Sequence, residues 1–203
     1  MHRRSLMHRR SLMHRRCIGA GIAVVLLCLG AAVSGKEDRG KIMRPVDGAA
    51  LSSGEVDIVA TAPAGKLQLD GAALVPDEPF PNVFHAAVTA GPGKHTLALV
   101  WEGGRKEVNF FVGENPPSEY KPFSQHPPLA GVECTQCHGV SRRGRFRFKG
   151  GCFDCHQKED FTKVHPHPVH MIQDCGMCHN AHGSTVKAHL IMPKELACKQ
   201  CHN

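Results

Sequence analysis

Cysteine spacing constrains this chain more tightly than any other feature. Ten cysteines occur in 203 residues. Eight of them fall into four copies of one motif, C-x-x-C-H: Cys134, Cys137 and His138; Cys152, Cys155 and His156; Cys175, Cys178 and His179; Cys198, Cys201 and His202. The other two, Cys17 and Cys28, lie in an apolar leader. Paired C-x-x-C also builds zinc sites, and eight cysteines make four disulfides in a secreted chain. Neither arrangement needs a histidine after every second cysteine. Covalent haem does. Two thiols add to the porphyrin vinyl groups as thioethers, and the adjacent histidine stands beneath the iron as its proximal ligand. The spacing therefore predicts four haem c groups, with His138, His156, His179 and His202 as proximal ligands.

An iron with ligands on both faces carries electrons, whereas an open face admits substrate. Six further histidines lie in the same region: His126, His165, His167, His170, His182 and His189. His126 precedes Cys134 by eight residues and His167 precedes Cys175 by eight; each is followed by proline. The segment thus contains an internal repeat with an offset of 41 residues. His182 follows His179 by three, so it projects away from that proximal residue and suits another haem. The expected distal set is His126, His167, His182 and, for the fourth, His170 ahead of His165 and His189. With histidines in surplus, Met171, Met177 and Met192 read as packing residues.

The run from Cys175-Gly176-Met177-Cys178-His179 through Asn180-Ala181-His182-Gly183-Ser184 to Leu190 and Cys198-Lys199-Gln200-Cys201-His202 resembles the doubled C-x-x-C-H motif of multihaem cytochromes. Those proteins are similar to the cytochrome c3 group and to decahaem electron-transfer proteins. The resemblance spans roughly residues 124–203. It implies closely packed, low-spin, low-potential haems with two histidines each. One departure matters: the first repeat has Ser141 where the counterpart of His182 would stand, so ligand donation differs between the repeats.

The rest of the chain divides by composition. Residues 1–35 combine arginine pairs with an apolar run from Ile18 to Val33, the pattern of a secretory signal; a retained anchor is the alternative. These residues hold six arginines and no acid, so 19 of the 25 basic residues remain to face 18 acidic ones. The net charge of +7 is mostly the leader's, and a nucleic-acid partner has no footing. Residues 36–113 lack cysteine and alternate apolar with polar residues at Val56–Val59, Lys66–Gly71, Val83–Val88, His95–Trp101 and Glu107–Val112. That pattern predicts an antiparallel β-sandwich. The opening Arg44-Pro45-Val46-Asp47-Gly48, the Leu69-Asp70-Gly71 turn and the closing Phe110-Phe111-Val112 resemble small bacterial immunoglobulin-like domains. Trp101 reads as a core residue, and His85 and His95 as strand residues. Residues 114–128 form a proline-rich linker, stiff and extended. Residues 129–203 form the tetrahaem domain, with His126 supplied from the linker.

About 80 residues cannot build a large core and enclose four macrocycles as well. The haems are expected to be the core, with short helices at the motifs and much irregular backbone between them. Arg142 to Lys149 is a basic run that suits a solvated loop, haem propionates or an acidic partner. The whole reads as an exported electron carrier, periplasmic or extracellular, that meets redox protein partners and does no chemistry on a substrate. Alternatives are a subunit of an extracellular cytochrome filament, a small-oxyanion reductase, or a membrane-anchored quinol oxidase similar to tetrahaem quinol dehydrogenases. The membrane enters only if the leader is retained.

Overall fold

The computed structural model describes residues 39–126, 133–164, 167 and 174–202. The expected leader, and with it the signal or anchor, lies outside the described residues. All the described residues belong to one compact unit.

Nine strands come first: β1 (Lys41–Arg44), β2 (Ala49–Leu51), β3 (Glu55–Thr61), β4 (Lys66–Leu69), β5 (Ala72–Ala73), β6 (Asp77–Phe80), β7 (Val83–Thr89), β8 (Gly93–Trp101) and β9 (Gly104–Val112). They form two sheets, one ordered β1-β3-β7-β6 and one containing β2-β9-β8-β4-β5. Neighbours are antiparallel except β2, which runs parallel to β9. Strand alternation explains the core, because successive side chains face opposite sides. Val56, Ile58 and Ala60 of β3 meet Leu97 and Leu99 of β8 and Val108, Phe110 and Val112 of β9. Trp101 is half-buried against this cluster. Gly40 and Gly104 leave room for its indole, and a Cβ at either would overlap the ring.

The outward face of β3 carries Asp57 and Val59. By register Val59 lies between Arg44 on β1 and His85 on β7. Val59 is buried yet stands outside the sandwich core cluster, so this face is also covered.

The linker was expected to be stiff and extended; it instead bends after Val112 and closes a turn in which Tyr120 N–H donates to the Pro117 carbonyl, and its residues 121–125 are paired as strands. Strand β10 (Lys121–Pro122) runs parallel to β2 at the edge of the second sheet. Strand β11 (Ser124–Gln125) then pairs antiparallel with β14 (Gly183–Ser184), inside the C-x-x-C-H region. Between these lie α1 (Cys134–Cys137), the hairpin of β12 (His138–Val140) and β13 (Phe146–Phe148), α2 (Cys152–Cys155) and α3 (Lys158–Val164). A 3-10 turn covers Cys175–Met177, a second covers Lys187–His189, and α4 spans Lys194–Lys199. None of these helices is long and apolar enough to cross a membrane.

Candidate cofactor site

Each C-x-x-C-H motif contains a tight turn closed in the same way. The backbone N–H of His138, His156, His179 and His202 donates to the carbonyl of Cys134, Cys152, Cys175 and Cys198 respectively. The shared turn sets both thiols of a motif and its histidine at one short helical end. All eight cysteines are free thiols. The motifs also approach one another: Cys152 lies near Cys175 and Cys137. Burial and then these neighbouring thiols raise its pKa.

The histidines are paired. His138 and His182 have ring centroids 5.8 Å apart with planes at 7°. His126 and His156 are 6.0 Å apart at 11°. His167 and His202 are 5.7 Å apart at 24°. Each pair joins one motif histidine to one histidine outside the motifs. Two imidazoles bound to one metal through nitrogen bonds of about 2.0–2.1 Å have centroids roughly 6 Å apart. The spacing and the near-parallel planes therefore fit a metal between two rings. His126 and His167 each face the second motif of their own repeat, while His182 crosses from the second repeat to the first motif. That crossing answers for Ser141, the first-repeat position without a donor.

Hydrogen bonds orient two of the rings. Nδ1–H of His179 donates to the Ala188 carbonyl at 2.8 Å, and Nδ1–H of His126 donates to the Ala181 carbonyl at 3.2 Å. A carbonyl acceptor puts the proton on Nδ1 and leaves Nε2 free to bind a metal. Burial first, and then the charges of Arg44, His138 and His126, lower the His182 pKa to about 4. Its imidazole is neutral at pH 7, the form that ligates. Burial likewise lowers the pKa of His138. His189 meets His126 edge-to-face at 5.1 Å. His170 and His165, the other candidates for a fourth distal ligand, lie outside the described residues.

The apolar surface fits a large flat cofactor. Every buried apolar side chain among the described residues lies between Pro45 and Val112. Helices α1, α2 and α4 bury none of their residues. Val140, Phe146, Phe148, Phe153, Met177, Ile191 and Leu196 stand exposed around the motifs. An apolar cluster this dense marks a binding surface rather than a free one. Met177 was expected to pack; it is exposed here, among the residues a porphyrin would cover. Among the described residues no group of three or more His, Cys, Asp or Glu is gathered as a zinc site requires. The basic run forms the β12–β13 hairpin, with Arg142, Arg143, Arg145 and Arg147 exposed and with Phe146 and Phe148 beside His138, at 4.8 and 5.7 Å.

Composition gave no hint of the sandwich residues that reach this site. Phe80 lies 5.0 Å from Phe146 and 6.5 Å from His138. Asp57 accepts from His85 Nε2 at 2.7 Å and from Gln125 Nε2 at 3.1 Å, and pairs with Arg44 Nη2 at 2.5 Å. The one local signal is a charged residue inside the apolar run Val56–Val59.

Residues 167–203 match the family model for the doubled CXXCH motif. The match supports a multihaem c-type cytochrome feature, and CXXCH motifs indicate covalently bound haem c. No curated protein matches the chain. Among solved structures, the fibronectin(III)-like modules of Clostridium thermocellum CbhA align at 20% identity and a TM-score of 0.29, over 36% of this chain and 95% of that one.

Proposed function

We propose that this chain is an electron carrier with four haem c groups, each iron held between two histidines. The observation that carries the reading is the pairing of motif with non-motif histidines near 6 Å. Cys134 and Cys137 would hold the first haem, with His138 and His182 on its iron. Cys152 and Cys155 would hold the second, with His156 and His126. Cys175 and Cys178 would hold the third, with His179 and, as the candidate second histidine, His170. Cys198 and Cys201 would hold the fourth, with His202 and His167.

When bound, haem iron supplies a one-electron couple between ferric and ferrous states. The chain's own residues do the rest. Two imidazoles per iron close both faces to substrate, so the reading is transfer without bond making. Phe146, Phe148, Phe153 and Leu196 exclude water from the macrocycles, which take the place of a protein core. The exposed arginines of the β12–β13 hairpin offer an acidic redox partner a docking surface. The sandwich is immunoglobulin-like in this reading, because the order β1-β3-β7-β6 opposite β9-β8-β4 follows that topology. Covalent haem is added after export, so in this reading the mature chain works in the periplasm or outside the cell.

Intact mass of the purified chain tests the count. Four haem additions, with a low-spin ferric spectrum, are expected. A colourless protein, or one holding zinc or four cystines, would end the proposal.

A further inference from the structure

The seam between the sandwich and the first motif contains a cation that is only half satisfied. Arg44 is 13% exposed, and its Nη2 pairs with Asp57 Oδ2 at 2.5 Å. Its Nε and Nη1 are buried without a hydrogen-bond partner. Leaving buried donors of a charged group unmade is costly, and a guanidinium is shaped to take a carboxylate through two parallel bonds. Asp57 cannot supply the second carboxylate, since its oxygens already serve Arg44, His85 and Gln125.

The sheet that carries Arg44 also meets the first motif. Phe80, on the same sheet, reaches Phe146 and His138. Gln125, on the β11 strand that pairs with β14, joins Asp57 beside His182. The contacts from the sandwich thus converge on the His138–His182 pair.

We propose that Arg44 is a positioning residue for the first haem: held by Asp57 through Nη2, it donates from Nη1 to a propionate of the porphyrin bound at Cys134, Cys137, His138 and His182. The sandwich is then part of that haem's site rather than a spacer. Asp57 sets the guanidinium's orientation, and His85 and Gln125 fix Asp57. This rests on the haem reading given above.

The test uses the full haem-loaded chain with Arg44→Gln, Arg44→Lys and Asp57→Asn, followed by redox titration and resonance Raman spectroscopy. Intact mass comes first; fewer than four haems in the parent chain overturns the haem reading and not this assignment alone. With four haems present, Arg44→Gln is expected to lower the midpoint of one haem and leave the other three in place, because an uncompensated propionate favours ferric iron. The propionate bending band of that haem should shift as well. Arg44→Lys keeps the charge and should hold the midpoint near the parent's, while Asp57→Asn should move it upward. Opposite signs from opposite charges are not produced by loss of packing. If Arg44→Gln fails to fold, the Arg44→Lys and Asp57→Asn pair decides. Midpoints and propionate bands unchanged in every variant that retains its haems would overturn the assignment.

Discussion

His182 faces His138 across 5.8 Å with the two imidazole planes within 7° of each other, although 44 positions separate them in the chain. The contact carries a histidine of the second repeat to the first motif. It is fixed from behind by the β11–β14 pairing next to His182 and by the sandwich residues around Asp57.

His182→Ala should therefore leave the haem count unchanged and open one iron in four. A ferric high-spin fraction confined to one haem is expected in the EPR spectrum, together with carbon monoxide binding to that haem when reduced. His126→Ala and His167→Ala should each open a different haem. A chain that stays fully low-spin in all three variants would contradict the pairing.

Gly183 sits beside His182 with φ of +119°, a conformation that favours glycine. A Cβ there would come to 2.5 Å from the Phe123 ring and 2.7 Å from the Ser124 carbonyl oxygen. Gly183→Ala should part β11 from β14, lower Tm and displace His182. The expected readout is a high-spin signal resembling that of His182→Ala, even though no ligand has been removed.

The sandwich carries its own pH response. His95 Nδ1 bonds Asp70 at 2.8 Å and its Nε2 bonds the Gly91 carbonyl at 2.7 Å. Burial opposes charge on His95, but the bonds to Asp70 and Gly91 outweigh it and raise the pKa above the ordinary value. The protonated form is thus favoured in the fold. Its contribution is full below the unfolded pKa of about 6.5 and is lost as pH rises through the raised folded value. Chemical denaturation followed at Trp101 should show the sandwich weakening over that range, and His95→Gln should flatten the profile.

Preventing haem attachment should split the molecule. The sandwich has a core of its own around Phe110, Ile58, Leu67, Leu97 and Leu99. Among the described residues, the motif region has no buried apolar side chain. A chain with serine at the eight motif cysteines is expected to keep β-sheet circular dichroism while residues beyond the linker become protease-sensitive. Adding Phe110→Ala to that chain should cost about 3–5 kcal/mol, enough to threaten the sandwich as well.

Much of the site was legible in order along the chain. The four motifs state their own cofactor chemistry, because thioether geometry is local and fits within five residues. The eight-residue offset singled out His126 and His167, which the structure brings to His156 and His202, and Ser141 marked where the repeats differ. The strands of the sandwich were readable from alternation, with Trp101 packed against the core as its apolar run suggested. The linker was less so. Its prolines suggested an extended run and gave neither the turn at Pro117–Tyr120 nor the pairing of β10 with β2 or of β11 with β14, since those partners lie far away in sequence.

What the sequence determined by itself was chemistry held within a few residues: thiols two apart, a histidine adjacent, apolar residues in alternation. Which histidine faces which, and that Arg44, Asp57 and Phe80 of the sandwich close around the first pair, depended on the tertiary structure. Those contacts join residues that no local pattern connects. They exist only once the outer face of one sheet has been covered by a segment too poor in apolar side chains to build a core of its own.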